Sequence, residues 1–489
     1  MRSRGHIAKV VLVALFLVLT PISINPAIAA GPQTPSCGLY KVTTKEVIVG
    51  VVFSKGSYQI NTFGISCAKV MGSKGLFAQF LKLKDKDPLP KPWRYLADAI
   101  GAPKFFSGVG VGFRVQKIEI PMTMRTFFSG DKCIGNAPVT YSKPIIALND
   151  LGQITPLGRM YDSHVTPTDH QFWQPVDNTV QGSPYPVYTP ADGYIVSLEQ
   201  HKAGQADTAD KVVIATFDEF RIVIEHSCNL YTIFNHIRAL PDVLFNQANF
   251  TTDSRINHPK TLIRIAIKAG DQVGNVGANT FDVQSLDGSV TVPGLLKPAT
   301  YASEPWKIHT TDPISHYSDP LKTQYYAKVS RSVEPIGGKI DYDLAGKLVG
   351  NWFKQGTNGY KNSGERYWDG HLSIVYDPFI PSEIVVSSGH SFTGLSDQYL
   401  VIGTVPDPAT VSASSGIVRY PLYYYKYLSS GKDWDITEPA KDMTTAPNSP
   451  LKGYLVAQIQ ADGNLKAEII EGSAGSQANF SDKASLYTR

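Results

Sequence analysis

His164, Asp169 and His170 stand close together in the segment SHVTPTDHQFW, and His236 stands in FNHIRAL. Imidazole and carboxylate side chains bind zinc, and a catalytic zinc takes three protein ligands and keeps a fourth position for water. One reading of these four residues is therefore a remnant or rearranged metal site. The other makes them hydrogen-bonded polar residues in loops at one end of a barrel, where Thr, Asp and His satisfy backbone groups. On residue types alone the second reading carries more weight. His309, Asp312 and His316 in KIHTTDPISH also have ligand types at loop spacing, but isolated triplets of this kind are common. His226 follows a strand pattern and reads as structural. His371 and His390 flank strand patterns and read as surface or satisfied core residues.

The elements that must position these side chains are β-like. PYPVYTPADGYIVSLEQ (Pro184–Gln200) reads as a strand, a tight turn at Asp192-Gly193 and a second strand. VVIATFDEFRIVIEH (Val212–His226) reads as a hairpin with Asp218-Glu219 in its turn, and LYTIFNHIRAL and IKAGDQVGNVG follow. No helical period runs through residues 155–295, and the glycines allow close turns between short strands. Residues 30–150 form a mixed α+β N-terminal region. EVIVGVVF and GVGVGFRVQKIEI are strand-like there, and GLFAQFLKL and PWRYLADAIG are predicted as short helices, the second with Pro92 at its start and Gly101 past its end. Residues 296–345 read as an ordered connection. From residue 346 to 489 the strand runs KLVGNWF, HLSIVYD, QYLVIGTV, GIVRYPLYYYKYL and GYLVAQIQADGNLKAEII predict a C-terminal β-sandwich or barrel-like domain.

The 489 residues carry 42% hydrophobic and 18% charged side chains, enough for a sizeable core and too little charge for a disordered chain. The 25 Tyr and 21 Phe favour pleated, half-buried surfaces. A net charge of +4 does not support a nucleic-acid footprint. Residues 1–29 read as a signal peptide: Arg2, Arg4 and Lys9 precede the apolar run Val10–Leu19, and Ala27-Ile28-Ala29 supplies the small-x-small cleavage pattern. Its removal takes three basic residues and no acidic one, leaving a nearly neutral mature chain with no membrane span. The expected location is secreted, or the exterior of the cell envelope. Cys37, Cys67, Cys133 and Cys228 then fall in an oxidising compartment and suggest disulfides, with three pairings open.

The middle region resembles the lysostaphin-type zinc metallopeptidases, which cut peptide cross-links in bacterial cell walls. PVYTPADGYIV, RIVIEHSCNLYTIFNHIRAL and IKAGDQVGNVG carry the likeness, in the family's order. The fold this implies for residues 155–295 is the duplicated hybrid motif, so the whole chain is expected to be mainly β. The resemblance places His236 on the position of an assisting catalytic histidine, and His164, Asp169 and His170 near the family's H-x3-D ligand pair. The spacing departs from it, reading H-x4-D-H. After GNVG the family has an H-x-H motif supplying a ligand and a catalytic group, whereas this chain reads ANTFDVQSLDG, without histidine. Asp282 or Asp287 could substitute there only in a rebuilt site.

The reading that results is an exported protein with a degenerate cell-wall metallopeptidase-like domain. It acts as a binding or scaffold module without full catalysis, its partner cell-wall peptidoglycan or another envelope component, and no cofactor is expected. The alternative is an active zinc metalloendopeptidase that hydrolyses peptidoglycan peptide bonds with a rearranged ligand set, and zinc is expected only then. A third reading makes the C-terminal domain a small-ligand binder, since KLVGNWF resembles the Gly-x-Trp strand of lipocalin-type barrels. Packing of Trp368 and the Tyr420–Tyr427 run into a small β-core is the simpler role for those aromatics.

Overall fold

The computed structural model describes residues 36–84, 87–96, 104–118, 127–128, 132–177, 179–201, 218–248, 263–278, 280–357, 359–361, 366–390, 396–434, 443–446 and 448–489. The signal-peptide expectation, and the first strand expected between Val212 and Thr216, lie outside them. The chain divides into two compact units, Met1–Ile120 and Pro121–Arg489.

In the first unit, strands β1 (Ser36–Val42), β4 (Gly56–Phe63), β7 (Val111–Ile118), β6 (Phe105–Gly108) and β5 (Arg94–Tyr95) form a five-stranded sheet in that order, and β2 (Glu46–Ile48) pairs with β3 (Val51–Phe53). Short helices span Cys67–Val70 and Leu76–Leu81, the latter within the predicted GLFAQFLKL. The helix expected in PWRYLADAIG does not begin where predicted. Arg94–Tyr95 pair with Phe106 and Phe105 as β5. Aromatic packing outweighs the helix-start signal of Pro92 here: the Trp93 ring sits 5.6 Å from Phe80, and Tyr95 5.1 Å from Phe105. A Cys37–Cys67 disulfide closes this unit.

The second unit opens with an eight-stranded antiparallel sheet. Its main path is β14 (Ile265–Ile267), β11 (Gly193–His201), β12 (Glu219–Glu225), β13 (Leu230–Ile237), β16 (Phe281–Asp287), β9 (Gln171–Pro175) and β8 (Leu151–Thr155), and β17 (Thr310–Thr311) pairs with β16. Beside it β10 (Tyr185–Tyr188) pairs with β15 (Gln272–Val276). Asp218-Glu219, read from sequence as a turn, instead leads directly into β12. Gly193 opens β11 because the strands approach too closely for a side chain; a Cβ there would lie 2.4 Å from the Glu225 carbonyl oxygen.

Alternation gives this sheet two different faces. Trp173, Ile222, Ile224, Phe234, Phe281 and Val283 enter the main apolar core, together with Tyr141 and Tyr325. The opposite face carries a smaller cluster of Val196, Val223, Tyr231, Ile233 and Leu286. Further along the same strands that second face turns polar, at Glu219, Arg221, Asn235, Asp282 and Gln284. A Cys133–Cys228 disulfide ties the chain before β8 to the β12–β13 connection.

The C-terminal strands close on themselves. β18 (Gly350–Lys354), β19 (His371–Tyr376), β20 (Ile384–Ser388), β21 (Asp397–Val401), β22 (Val418–Tyr424), β26 (Leu451–Ile459), β27 (Leu465–Glu471) and β28 (Ser485–Thr488) form a closed antiparallel barrel. Of the two architectures left open by the sequence, it is the barrel. Three short strands, β23 (Tyr427–Ser429), β24 (Lys432–Asp433) and β25 (Thr444–Thr445), make a separate small sheet. Trp352, Leu372, Ile374, Leu422, Leu455 and Leu465 pack in the barrel core with Tyr399 and Tyr420, so aromatic rings take part in filling it.

The fold is therefore mainly β. Two disulfides suit an oxidising, extracellular environment. Among the described residues no helix is long and apolar enough to cross a membrane.

Candidate functional site

The polar end of the middle sheet is built by a bulge. On β12 and β13, Phe220 faces Ile237 but Ile222 faces Phe234, so Asn235 and His236 together oppose Arg221. His236 takes φ +61°, a left-handed conformation that a non-glycine residue adopts only against a cost of about 1–2 kcal/mol. The extra residue turns His236 toward the face that Asn235 already occupies. Asn235 Nδ2 donates to Asp282 Oδ2 at 3.3 Å, and His236 Nε2 lies 3.4 Å from the same oxygen. On its other side His236 Nδ1 donates to Glu219 Oε2 at 2.9 Å.

β9 supplies the second side of the cluster. His170 immediately precedes β9, and Phe172 faces Asp282 across the ladder. His170 Nε2 lies 3.6 Å from Asp282 Oδ2, and its Nδ1 donates to Asp169 Oδ1 at 3.3 Å. The Lys307 ammonium sits 3.5 Å from Asp169 Oδ2 and 4.9 Å from the centre of the Tyr360 ring. The His164 ring is 5.2 Å from that of His170. All four residues singled out in the sequence thus lie in one neighbourhood, joined by Asp282 and Lys307.

Their protonation follows from this wiring. Burial works against a charge on His170, but Asp282 and Asp169 outweigh it and raise its pKa. Burial opposes the charge on His236 too, and Asp282 and Glu219 lift its pKa well above the ordinary value. The carboxyls of Asp282 and Asp169 are held low against desolvation, the first by His170 and His236, the second by Lys307 and His170. His164 lacks such support. Burial drives its pKa down to about 3, so it is neutral. Glu304, in the same cavity, is raised to about 7 by burial.

The cavity has a volume of about 160 Å3, and its walls include His164, Asp169, His170, Arg221, Gln284 and Lys307. Trp306 and, from the connection between β18 and β19, Tyr360 and Tyr367 complete it. Several atoms at this place are buried without a hydrogen-bond partner: Asp169 Oδ2, His170 Nε2, Asp282 Oδ1 and Gln284 Nε2.

These residues do not fit a catalytic zinc. Alternation on β9 puts Gln174, not a carboxylate, on the face of His170 four residues on, and on β16 it puts Asp282 and Gln284 together. Laid on these two strands, the H-x3-D pattern of the resemblance reads His170-x3-Gln174, and its H-x-H pattern reads Asp282-x-Gln284. Two of the three ligand places are then neutral amides. Gln174 is engaged elsewhere, accepting from Gln153 Nε2 at 3.2 Å. Each imidazole nitrogen of His170 faces a carboxylate, which favours a proton rather than a metal on both. The Lys307 ammonium occupies the same space. Among the described residues no group of three or more His, Cys, Asp or Glu converges as a metal site would.

His201 stands at the cluster's edge, its Nδ1 3.9 Å from Glu219 Oε1, whereas His226, His309, His316 and His371 bond elsewhere. His226 Nδ1 donates to the Asp192 carbonyl at 2.9 Å, and its Nε2 lies 2.9 Å from Thr232 Oγ1. His309 bonds the Val290 carbonyl, His316 meets Thr311, and Asp312 accepts from Ile314 N and Gln171. His371 bonds the Tyr360 carbonyl at 2.8 Å. Sequence reasoning did not pick out Glu219, Asn235, Gln284, Glu304 or Lys307. For Gln284 a signal was present, since FDVQSLD alternates apolar Phe281 and Val283 with polar Asp282 and Gln284.

No family model matches the sequence, and no curated protein matches it. Among solved structures, the NMR solution structure of lysostaphin is similar over 72% of this chain and 91% of that one, at 11% identity and a TM-score of 0.21. A likeness of that size carries no argument about fold or activity.

Proposed function

We propose that this chain is an exported envelope protein in which a metallopeptidase-like β-framework serves to bind, without completing a catalytic centre. Cell-wall peptidoglycan or another envelope component is its partner. The observation that carries this reading is the donor set on β9 and β16. His170 and Asp282 engage each other, and amides stand where further zinc ligands would be needed. Export rests on the basic, apolar and small-residue pattern of residues 1–29, and two disulfides support it.

The test is metal content measured alongside two assays on purified cell-wall sacculi. The protein, incubated with zinc and desalted, is expected to hold no stoichiometric metal, to release no peptide fragments and to co-sediment with the sacculi. One zinc per chain, lost in His170→Ala together with peptide-bond cleavage, would instead establish the zinc metalloendopeptidase.

A further inference from the structure

We infer that the cavity between the polar end of the middle sheet and the β18–β19 connection holds one neutral sugar ring. The inference rests on reading the site as a binding site and names the class of its ligand. Buried polar atoms in folded proteins are almost always paired, and one left without a partner costs about 1–3 kcal/mol. Asp169, His170 and Gln284 are 7%, 7% and 4% exposed, and each directs an atom here that makes no hydrogen bond: Gln284 Nε2, Asp169 Oδ2, which has only the Lys307 ammonium at 3.5 Å, and His170 Nε2, which has only Asp282 at 3.6 Å. Three such atoms lining one cavity point to something that belongs inside it.

The pattern of those atoms selects the chemistry. Gln284 Nε2 requires an acceptor, and Asp169 Oδ2, 3.5 Å from the Lys307 ammonium and without a hydrogen bond, has room for a closer donor, so a ligand that offers both within a small volume fits. An inorganic anion offers acceptors only. A metal cation would meet the Lys307 ammonium and the Arg221 guanidinium. The charges already face one another: Lys307 faces Asp169 at 3.5 Å, Arg221 faces Glu199 at 2.8 Å, and His170 faces Asp282 at 3.6 Å. An ionic ligand therefore finds no free counter-charge. A hydroxyl group donates and accepts at once, and neighbouring hydroxyls on one ring answer a carboxylate and an amide together. Trp306 and Tyr367 supply aromatic surface for the ring's C–H face, while Lys307 sits over that of Tyr360. A cavity of about 160 Å3 is far larger than the ~10–15 Å3 that holds one water, so it has room for a small molecule.

The full mature chain would be titrated with glucose, galactose, mannose and N-acetylglucosamine, and with triglycine as a peptide probe. Binding would be read by saturation-transfer NMR and calorimetry. At least one sugar is expected to saturate, triglycine is not, and Gln284→Leu should weaken the sugar roughly tenfold or more, the effect of one buried hydrogen bond. Tyr367→Leu serves as a second variant, and a thermal melt confirms that each is folded. The inference is overturned if no sugar saturates the wild type, if triglycine competes for the site, or if both folded variants bind unchanged. Co-sedimentation with sacculi is followed in parallel. Sacculi bound without any sugar at this cavity would sink the ligand class alone, whereas zinc-dependent cleavage would sink the binding reading itself.

Discussion

The middle sheet and the C-terminal barrel are both antiparallel β-structures, yet they dispose of polar groups in opposite ways. The barrel has no open edge among its eight strands, and its core cluster is apolar or aromatic. Within that core two polar ring atoms are paired, Trp352 Nε1 donating to the Leu348 carbonyl at 2.8 Å and the Tyr420 hydroxyl to that of Pro406 at 2.8 Å, while His371 Nδ1 on β19 is buried without a hydrogen bond. The sheet instead buries carboxylates, imidazoles and amides at one end of a face, leaves several of their atoms unpartnered and holds His236 in a left-handed conformation. Closure pairs the barrel's strands edge to edge, whereas the sheet gathers its charged and amide side chains at one end. Recognition is concentrated where satisfaction is incomplete.

That contrast can be broken most directly by truncation. Trp352→Ala, in the barrel core at 1% exposure, should cost about 3–5 kcal/mol in a denaturant melt. A loss below about 1 kcal/mol would mean that the barrel is not tightly packed. Next in size is the Cys133–Cys228 bridge, which spans 95 residues. Replacing both cysteines with serine should cost about 2–5 kcal/mol in the melt of the same unit, and an unchanged melt would show that the sheet holds its shape without the bridge.

The pH response sharpens the contrast further. The Glu304 carboxyl takes its proton near pH 7 when folded but near 4.5 when unfolded. Between those values the folded chain binds the extra proton, so this group's contribution to stability falls as pH rises from about 4.5 to 7. The advantage of Glu304→Gln over wild type should therefore grow across that window and level off above it. A difference independent of pH would mean that Glu304 is not buried as described. The smallest effect is expected for Gln284→Leu, which removes an unpartnered buried amide. Its stability should lie within about 1 kcal/mol of wild type or above it. A large loss would place the amide among structural supports rather than in a site.

The mainly β character was legible in the alternating runs that became β11, β12, β13 and β26, because a half-buried strand writes its two faces into successive residues. The four clustered site residues were legible by type. What could not be read was how they meet. His236 reaches Asp282 only because of a bulge, and no local pattern in FNHIRAL announces one. Lys307 and Glu304 arrive from a segment that reads as a connection, and Tyr360 and Tyr367 come from the connection between β18 and β19 of the barrel. The PWRY segment failed for a related reason: rings from distant residues decided whether it coiled or extended.

Tyr360 and Tyr367 have a practical consequence. Because the barrel lends part of the wall, selectivity is not a property of residues 155–295 in isolation. A fragment ending near residue 345 would lack the Tyr360 and Tyr367 wall, and an affinity screen on it would misjudge the intact molecule. The sheet and the β18–β19 connection make one wall between them.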